Sequence, residues 1–402
     1  MRRVALLCMG LVMGAASAAE AQLTMQMSNG WSFTFGGNVN AFLVYEKPSD
    51  NTAPTVTPGG LVAAGGDGAS RIRTGLLPAF AVFDAKGKEG NTDLGVHFGF
   101  APQIQCGTDD TGTVVLHDCF GAQIDMRQVY LTVGGTWGQI LAGRELGLFG
   151  RQNILTDQTL FGVGATGGQF SGGTTLGRIG FGYIYPQFKA QMTFSTPAGR
   201  PFQLSIGLFD PASNPPYNSI EIPRLEAEGV YSSGNTKFWI GGLLQNNSTG
   251  DTGLGADESA TSWGGSGGIR FGSSTFSLTA SGYYGMGLGT TLLFNGGTAG
   301  TGVGTDDLRK SMGGIGQLTF TPSNSKVTIA GSWGISILEN ADVEDPLTFK
   351  TKNWLASGGI YYQATKSLKA VAEVNYAVTG DDDDTSDDNK SVAPAVGLML
   401  FF

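Results

Sequence analysis

Residues 391–402 alternate strictly. Val392, Pro394, Val396, Leu398, Leu400 and Phe402 fall on one parity, and Ser391, Ala393, Ala395, Gly397, Met399 and Phe401 on the other. The same period runs through 326–337, where Val327, Ile329, Trp333, Ile335 and Ile337 alternate with Lys326, Thr328, Ala330, Ser332 and Ser336. It returns in 275–284, with Phe276, Leu278 and Ala280 against Ser277, Thr279 and Ser281. A period of two sends successive side chains to opposite faces of a strand, so each segment predicts a strand with one greasy face and one polar or small face. Two all-β architectures fit: a sandwich, which buries the greasy face in a core, and a barrel, which turns it to lipid.

The connections separate them. Long polar stretches near 46–69, 104–121, 145–182, 210–221, 246–261, 285–308, 338–352 and 378–390 alternate with tight turns at 86–90, 134–135, 198–200, 232–235, 272–273, 322–324 and 364–366. Eight long and seven short connections predict about sixteen antiparallel strands, which brings both chain ends to one side. Such sorting fits a transmembrane antiparallel β-barrel with long outer loops and short periplasmic turns; a sandwich has no reason for it. The even count depends on Pro186: 187–196 are read as one strand and 181–186 as the end of the preceding loop. Trp31, Phe33 and Phe35 open the first strand, Tyr361 and Tyr362 close a late one, and Phe401 and Phe402 end the chain, as interface girdles of a membrane barrel do.

Composition narrows the class. Glycine takes 65 of 402 positions and charged residues only 14%, while aromatics at 10% argue against a disordered glycine-rich chain. No stretch approaches the ~20 consecutive apolar residues of a membrane-spanning helix. Arg2 and Arg3, the apolar run Val4 to Gly14 and the small residues ending at Ala21 predict a secretory signal peptide over 1–21, which leaves 22–402 as one barrel domain. Cys8 lies too early for a lipoprotein signal. The net charge of −9 speaks against nucleic acid as a partner. Cys106 and Cys119 form an isolated pair in one polar segment, and an exported protein favours a disulfide between them. Free thiols, or a metal site with His117, are the alternatives; no cofactor is expected.

Three stretches carry a family resemblance: Ser70-Arg71-Ile72-Arg73; Ile124-Asp125-Met126-Arg127-Gln128-Val129-Tyr130-Leu131, followed by the run from Gly135 to Arg144; and the C-terminal strand ending in Phe402. Together they resemble the trimeric, sixteen-stranded general porins of Gram-negative bacteria. The resemblance implies a homotrimer in the outer membrane, among lipid and lipopolysaccharide, that passes small hydrophilic solutes by diffusion. It also implies that Phe402 is a signal to the barrel-assembly machinery. The third outer loop, here 145–186, is expected to fold into the pore as a constriction loop. Its glycines would let a long backbone lie close against a wall.

In that family, wall arginines face acids on the inner loop. The corresponding candidates here are Arg71, Arg73, Arg127, Arg144, Glu145, Arg151, Asp157 and Arg178. Parity groups Arg71 with Arg73, and Arg127 with Asp125 opposite Met126 and Tyr130. It also puts Arg224, Glu226 and Glu228 on one face. A charge on the lipid face at the midplane costs about 2–4 kcal/mol, so these arginines are expected to face the lumen. There each either shapes flux or merely solvates the wall. The loop departs from the family in carrying only Glu145 and Asp157 as acids, which tilts the expected preference towards anions. The run Asp381 to Asp384 with Asp387 and Asp388 either binds divalent cations with lipopolysaccharide or keeps a loop solvated.

Enzymatic signals are weak. The glycine spacing of 162–167 lacks the βαβ context of a dinucleotide site, and His97 and His117 have no serine-nucleophile context, so no enzyme is expected. A solute-specific porin and a non-conducting structural or adhesion barrel are the competing readings.

Overall fold

The computed structural model describes residues 23–50, 59–63, 65–105, 124–167, 173–212, 214, 217, 221–248, 259–299, 305–344, 350–381 and 387–402. The expected signal peptide 1–21, the expected Cys106–Cys119 disulfide and Asp382 to Asp384 lie outside them.

Alternation becomes strand throughout. A short β1 (Leu23–Gln26) folds back on the start of β2 (Ser32–Pro48). Next come β3 (Ala69–Arg73) and β4 (Phe80–Glu89), both paired with β2, the first at Phe42 to Glu46 and the second at Ser32 to Asn38. They are two pieces of one wall strand, broken at 74–79. The wall continues through β5 (Thr92–Pro102), β6 (Ile124–Gly135), β7 (Gly138–Leu146), β8 (Phe188–Ser195), β9 (Phe202–Phe209) and β10 (Arg224–Ser233). It goes on through β11 (Thr236–Ser248), β12 (Ser259–Gly272), β13 (Phe276–Met286) and β14 (Lys310–Phe320). The last strands are β15 (Val327–Glu339), β16 (Lys350–Gln363), β17 (Leu368–Gly380) and β18 (Asn389–Phe401).

From β4 onward each strand pairs antiparallel with the next, and β18 closes on β2 with Phe401 opposite Asn38. With β3 and β4 taken as one wall strand and β1 as an appendage, sixteen strands complete the ring. Seven tight turns lie at one end and eight long connections at the other, as predicted. The strand after Pro186 is a single one. Closure leaves no unpaired sheet edge, which is what allows a sheet to sit in lipid.

The faces sort as the sequence says. Val392, Val396, Leu398 and Leu400 lie exposed on the outside, while Ser391, Ala393, Ala395 and Met399 are buried on the inside. Ile72 is 67% exposed between inward Arg71 and Arg73. An unbroken apolar outer band is costly in water and stable in hydrocarbon. No helix among the described residues is long and apolar enough to cross a membrane.

One departure from strict alternation occurs in β6. The β5–β6 register shifts between Gly99 and Phe100, making Arg127 an extra residue. A bulge of this kind flips the parity beyond it. Tyr130 therefore pairs with inward-facing His97 and stacks on it, ring centroids 4.6 Å apart, rather than sharing the outer face with Met126.

Candidate functional site: the lumen and its inner loop

The connection between β7 and β8 enters the barrel. It contains helix α1 (Arg151–Thr156) and a 3-10 turn, Gln158–Phe161. Gly150, at φ 78°, supplies the left-handed turn before α1. Asp157 caps the 3-10 turn, accepting the N–H of Thr159 at 2.9 Å.

A backbone shielded from water must find hydrogen-bond partners, and here the wall provides them. Glu226 on β10 accepts the N–H groups of Leu148 and Phe149 at 2.7 and 2.9 Å. Glu228 takes Arg151 at 2.5 Å and Gln152 at 3.0 Å, and Trp239 on β11 donates to Asn153 at 2.8 Å. Further round, Gln317 on β14 accepts the N–H of Gln158 at 2.6 Å and donates to the carbonyl of Thr156 at 3.1 Å. Ser336 on β15 accepts the N–H of Gly182 at 2.9 Å, and Glu373 on β17 takes Val163 and Gly164 at 2.7 and 3.1 Å. The gap between β3 and β4 is the last anchor: Leu76 donates to the Gly162 carbonyl at 3.0 Å, and a Cβ at Gly75 would stand 2.1 Å from that oxygen. The third long loop thus crosses the lumen and is fastened on both sides. Its Ile154, Leu160 and Val163 pack on inward apolar wall residues such as Phe42, Ala330 and Val371.

The structure distributes the predicted residues unevenly. Arg71 and Arg73 face inward on β3, and Arg73 reaches the Gly173 carbonyl of the loop at 3.4 Å. Arg127 pairs with Asp125 at 2.8 Å, and that carboxylate side chain is 43% exposed inside the barrel. Glu145 is inward and takes two bonds from Gln128, at 2.8 and 3.0 Å. Arg151 is held by Glu228. Asp157 faces its own loop rather than the arginine wall, accepting from Thr159 Oγ1 at 2.7 Å and Tyr183 OH at 2.8 Å. Burial first, and Asp157 second, hold the Tyr183 phenol well above its usual range. Arg178, fully buried, donates to Ser332 and to the Leu355 carbonyl, so it fastens the loop.

Arg144 is a correction. It pairs with Val129 and Ala190 on the outer face and is exposed there. With Glu145 inward on a regular strand, its neighbour must point outward. Arg144 lies near the long-loop end of β7, where an outward charge costs only about 0–1 kcal/mol and the side chain can reach the polar interface.

Parity grouped Glu226 and Glu228 on one face without giving them a role, and Glu373 was not singled out from sequence at all. The available signal was inward parity on strands facing a glycine-rich loop short of acids. All three are buried, whereas the inward bases Arg71, Lys237 and Lys369 are partly exposed and Arg270 is exposed. Of these residues the bases are more accessible than the carboxylates, with Asp125, paired to Arg127, the exposed inward acid named above.

No family model matches the chain, and no curated protein matches its sequence. Solved structures do match. The outer membrane channel DcaP of Acinetobacter baumannii superposes with a TM-score of 0.65 at 14% identity, covering 94% of this chain and 99% of that one. An anion-selective porin from Comamonas acidovorans gives 0.62 at 13% identity, covering 92% and 100%. OmpT, an outer membrane protein of Vibrio cholerae, in its in-vitro folded trimer form gives 0.53 at 14% identity, covering 93% and 100%. At these identities the likeness is one of fold: the chain has the closed antiparallel barrel fold of outer-membrane channels.

Proposed function

We propose that this protein is an outer-membrane porin, a water-filled channel for passive diffusion of small hydrophilic solutes and ions. One observation carries the reading. A greasy-walled barrel holds a long loop across its interior through inward carboxylates, chiefly Glu226 and Glu373, which is how a wide barrel is narrowed without being closed by a separate domain. The proposed ion preference is for anions, because Glu226, Glu228 and Glu373 are buried against the loop and Asp125 is paired with Arg127, while Arg71, Lys237 and Arg270 remain accessible. Arg71, Arg73 and Arg127 with Asp125 are the proposed selectivity residues. The proposed assembly is a homotrimer, supported by the trimer form of the Vibrio cholerae neighbour. Phe402 is the proposed signal to the barrel-assembly machinery, and lipid and lipopolysaccharide the proposed surroundings.

Single-channel conductance of the refolded protein in a planar bilayer, with a salt gradient, tests this. Stepwise openings in threes and an anion-signed reversal potential are expected. A stably inserted barrel that never conducts overturns it. A solute-specific porin is the second reading, favoured by two further long connections that pack inside: Leu61 and Val62 against Leu355 and Ala377, and Leu288 to Phe294 against Phe149 and Tyr283. Saturation of current by one solute class distinguishes it.

A further inference from the structure

Half-way round the ring from β3, the lumen wall carries a second group of bases. Lys237 on β11 stands directly opposite Arg270 on β12, which stands opposite Thr279 on β13, which stands opposite Gln317 on β14. All four face inward near the tight-turn end. Like charges at directly opposed positions repel, since their Cβ atoms are about 4.5–5.5 Å apart. The nearby acid does not neutralise them. Glu228 is taken by Arg151 and Gln152, and Lys237 donates to the neutral amide oxygen of Gln152. Arg151 is also close to Glu145 and Glu226, so the positive charge left over on this wall is that of Lys237 and Arg270.

Unmet hydrogen-bonding capacity surrounds it. Thr279 Oγ1, Asn153 Nδ2 and Gln158 Nε2 are buried without a protein partner. Asn153 is joined to this wall through Trp239, and Gln158 through Gln317, the neighbour of Thr279. Arg270 presents an exposed guanidinium, whose planar fork matches the paired oxygens of a phosphate or carboxylate.

We infer that Lys237 and Arg270, backed by Arg151, form a binding subsite for a small dianion, of the class of inorganic phosphate or a short dicarboxylate, at the tight-turn end of the lumen. The inference rests on the lumen being a solute path. It adds a resting place there, spatially separate from Arg71 and Arg73.

The test is calorimetric titration of the detergent-folded full chain with inorganic phosphate at low ionic strength, repeated with a short dicarboxylate. Wild type is expected to bind both. The Lys237→Gln/Arg270→Gln pair should weaken binding about tenfold or more, the order expected for losing a charge-assisted contact. Arg270→Lys, which keeps the charge and loses the fork, should fall between. Arg144→Gln on the outer face should match wild type. Equal affinity in wild type and the double variant, or no binding to a folded wild type, overturns the subsite. Conductance is read in parallel. Phosphate added on the tight-turn side should reduce chloride current in wild type and not in the double variant. A barrel that binds phosphate without conducting overturns the channel reading alone, and one that conducts with no effect of the double substitution overturns the subsite alone.

Discussion

Glu373 Oε2 accepts the N–H of Val163 at 2.7 Å, joining the inner loop to a strand 210 residues away. The carboxylate also takes the N–H of Gly164 and the hydroxyl of Tyr361. It leaves no space between itself and the loop: a Cβ on Gly162 would lie 2.0 Å from Glu373 Oε1.

This contact makes Glu373 a fastener of the constriction. Glu373→Ala removes an acceptor for two buried N–H groups, each costing about 1–3 kcal/mol when left unpaired. The expected outcome is a noisier and larger single-channel conductance with lower thermal stability. Glu373→Gln, which keeps one acceptor oxygen, should lie between the two. Open-channel noise and melting of the folded band on heating check both.

Ion preference offers a second test. Arg71→Gln/Arg73→Gln removes two inward charges without touching the loop anchors on β10, β14 or β17. The reversal potential in a salt gradient should move away from anions, while unitary conductance changes less than in Glu373→Ala. An unchanged reversal potential removes these arginines from the proposed filter.

Outside the membrane-spanning strands, Glu344 carries a pH-dependent contact. Its carboxylate accepts from Arg309 at 2.6 and 3.0 Å and from the Ala341 N–H at 2.9 Å. Burial alone would raise its pKa, but the Arg309 and Ala341 bonds outweigh it and hold it below the ordinary 4.5. The sign follows: the unfolded loop binds the proton more readily, so the contact stabilises the folded loop fully above pH 4.5 and is lost as pH falls through the lowered value. Hydrogen exchange at 340–344 should therefore quicken under acid conditions in wild type, and Glu344→Gln should abolish that pH dependence.

At the barrel seam, Phe402 donates its N–H to Gly37 at 3.0 Å, accepts from Gly37 at 2.8 Å, and sets its ring 5.4 Å from that of Phe35. Deleting Phe402 removes both bonds and the ring contact at the point of closure. A smaller folded fraction is expected on heat-modifiable electrophoresis. Phe402→Ala keeps the backbone bonds, and comparing the two separates closure from recognition of the terminal ring.

Strand periodicity, the even strand count and the outward or inward sense of most side chains were legible in the sequence, because alternation is a local property of an extended backbone. Val396 and Ala395 need only each other to declare opposite faces. Loop lengths were equally local, so the long third connection stood out as a functional loop, and the family resemblance implied that it is the constriction. Tertiary structure decided what no short window contains. The bulge at Arg127 turned Tyr130 inward, because register is set between strands. Arg144 went outward because its neighbour Glu145 found Gln128 inside. Glu226, Glu228 and Glu373 became anchors only once closure of the ring brought them to a loop far away in sequence. A carboxylate's inward sense is written in parity; which N–H it meets is settled by the geometry of the closed barrel.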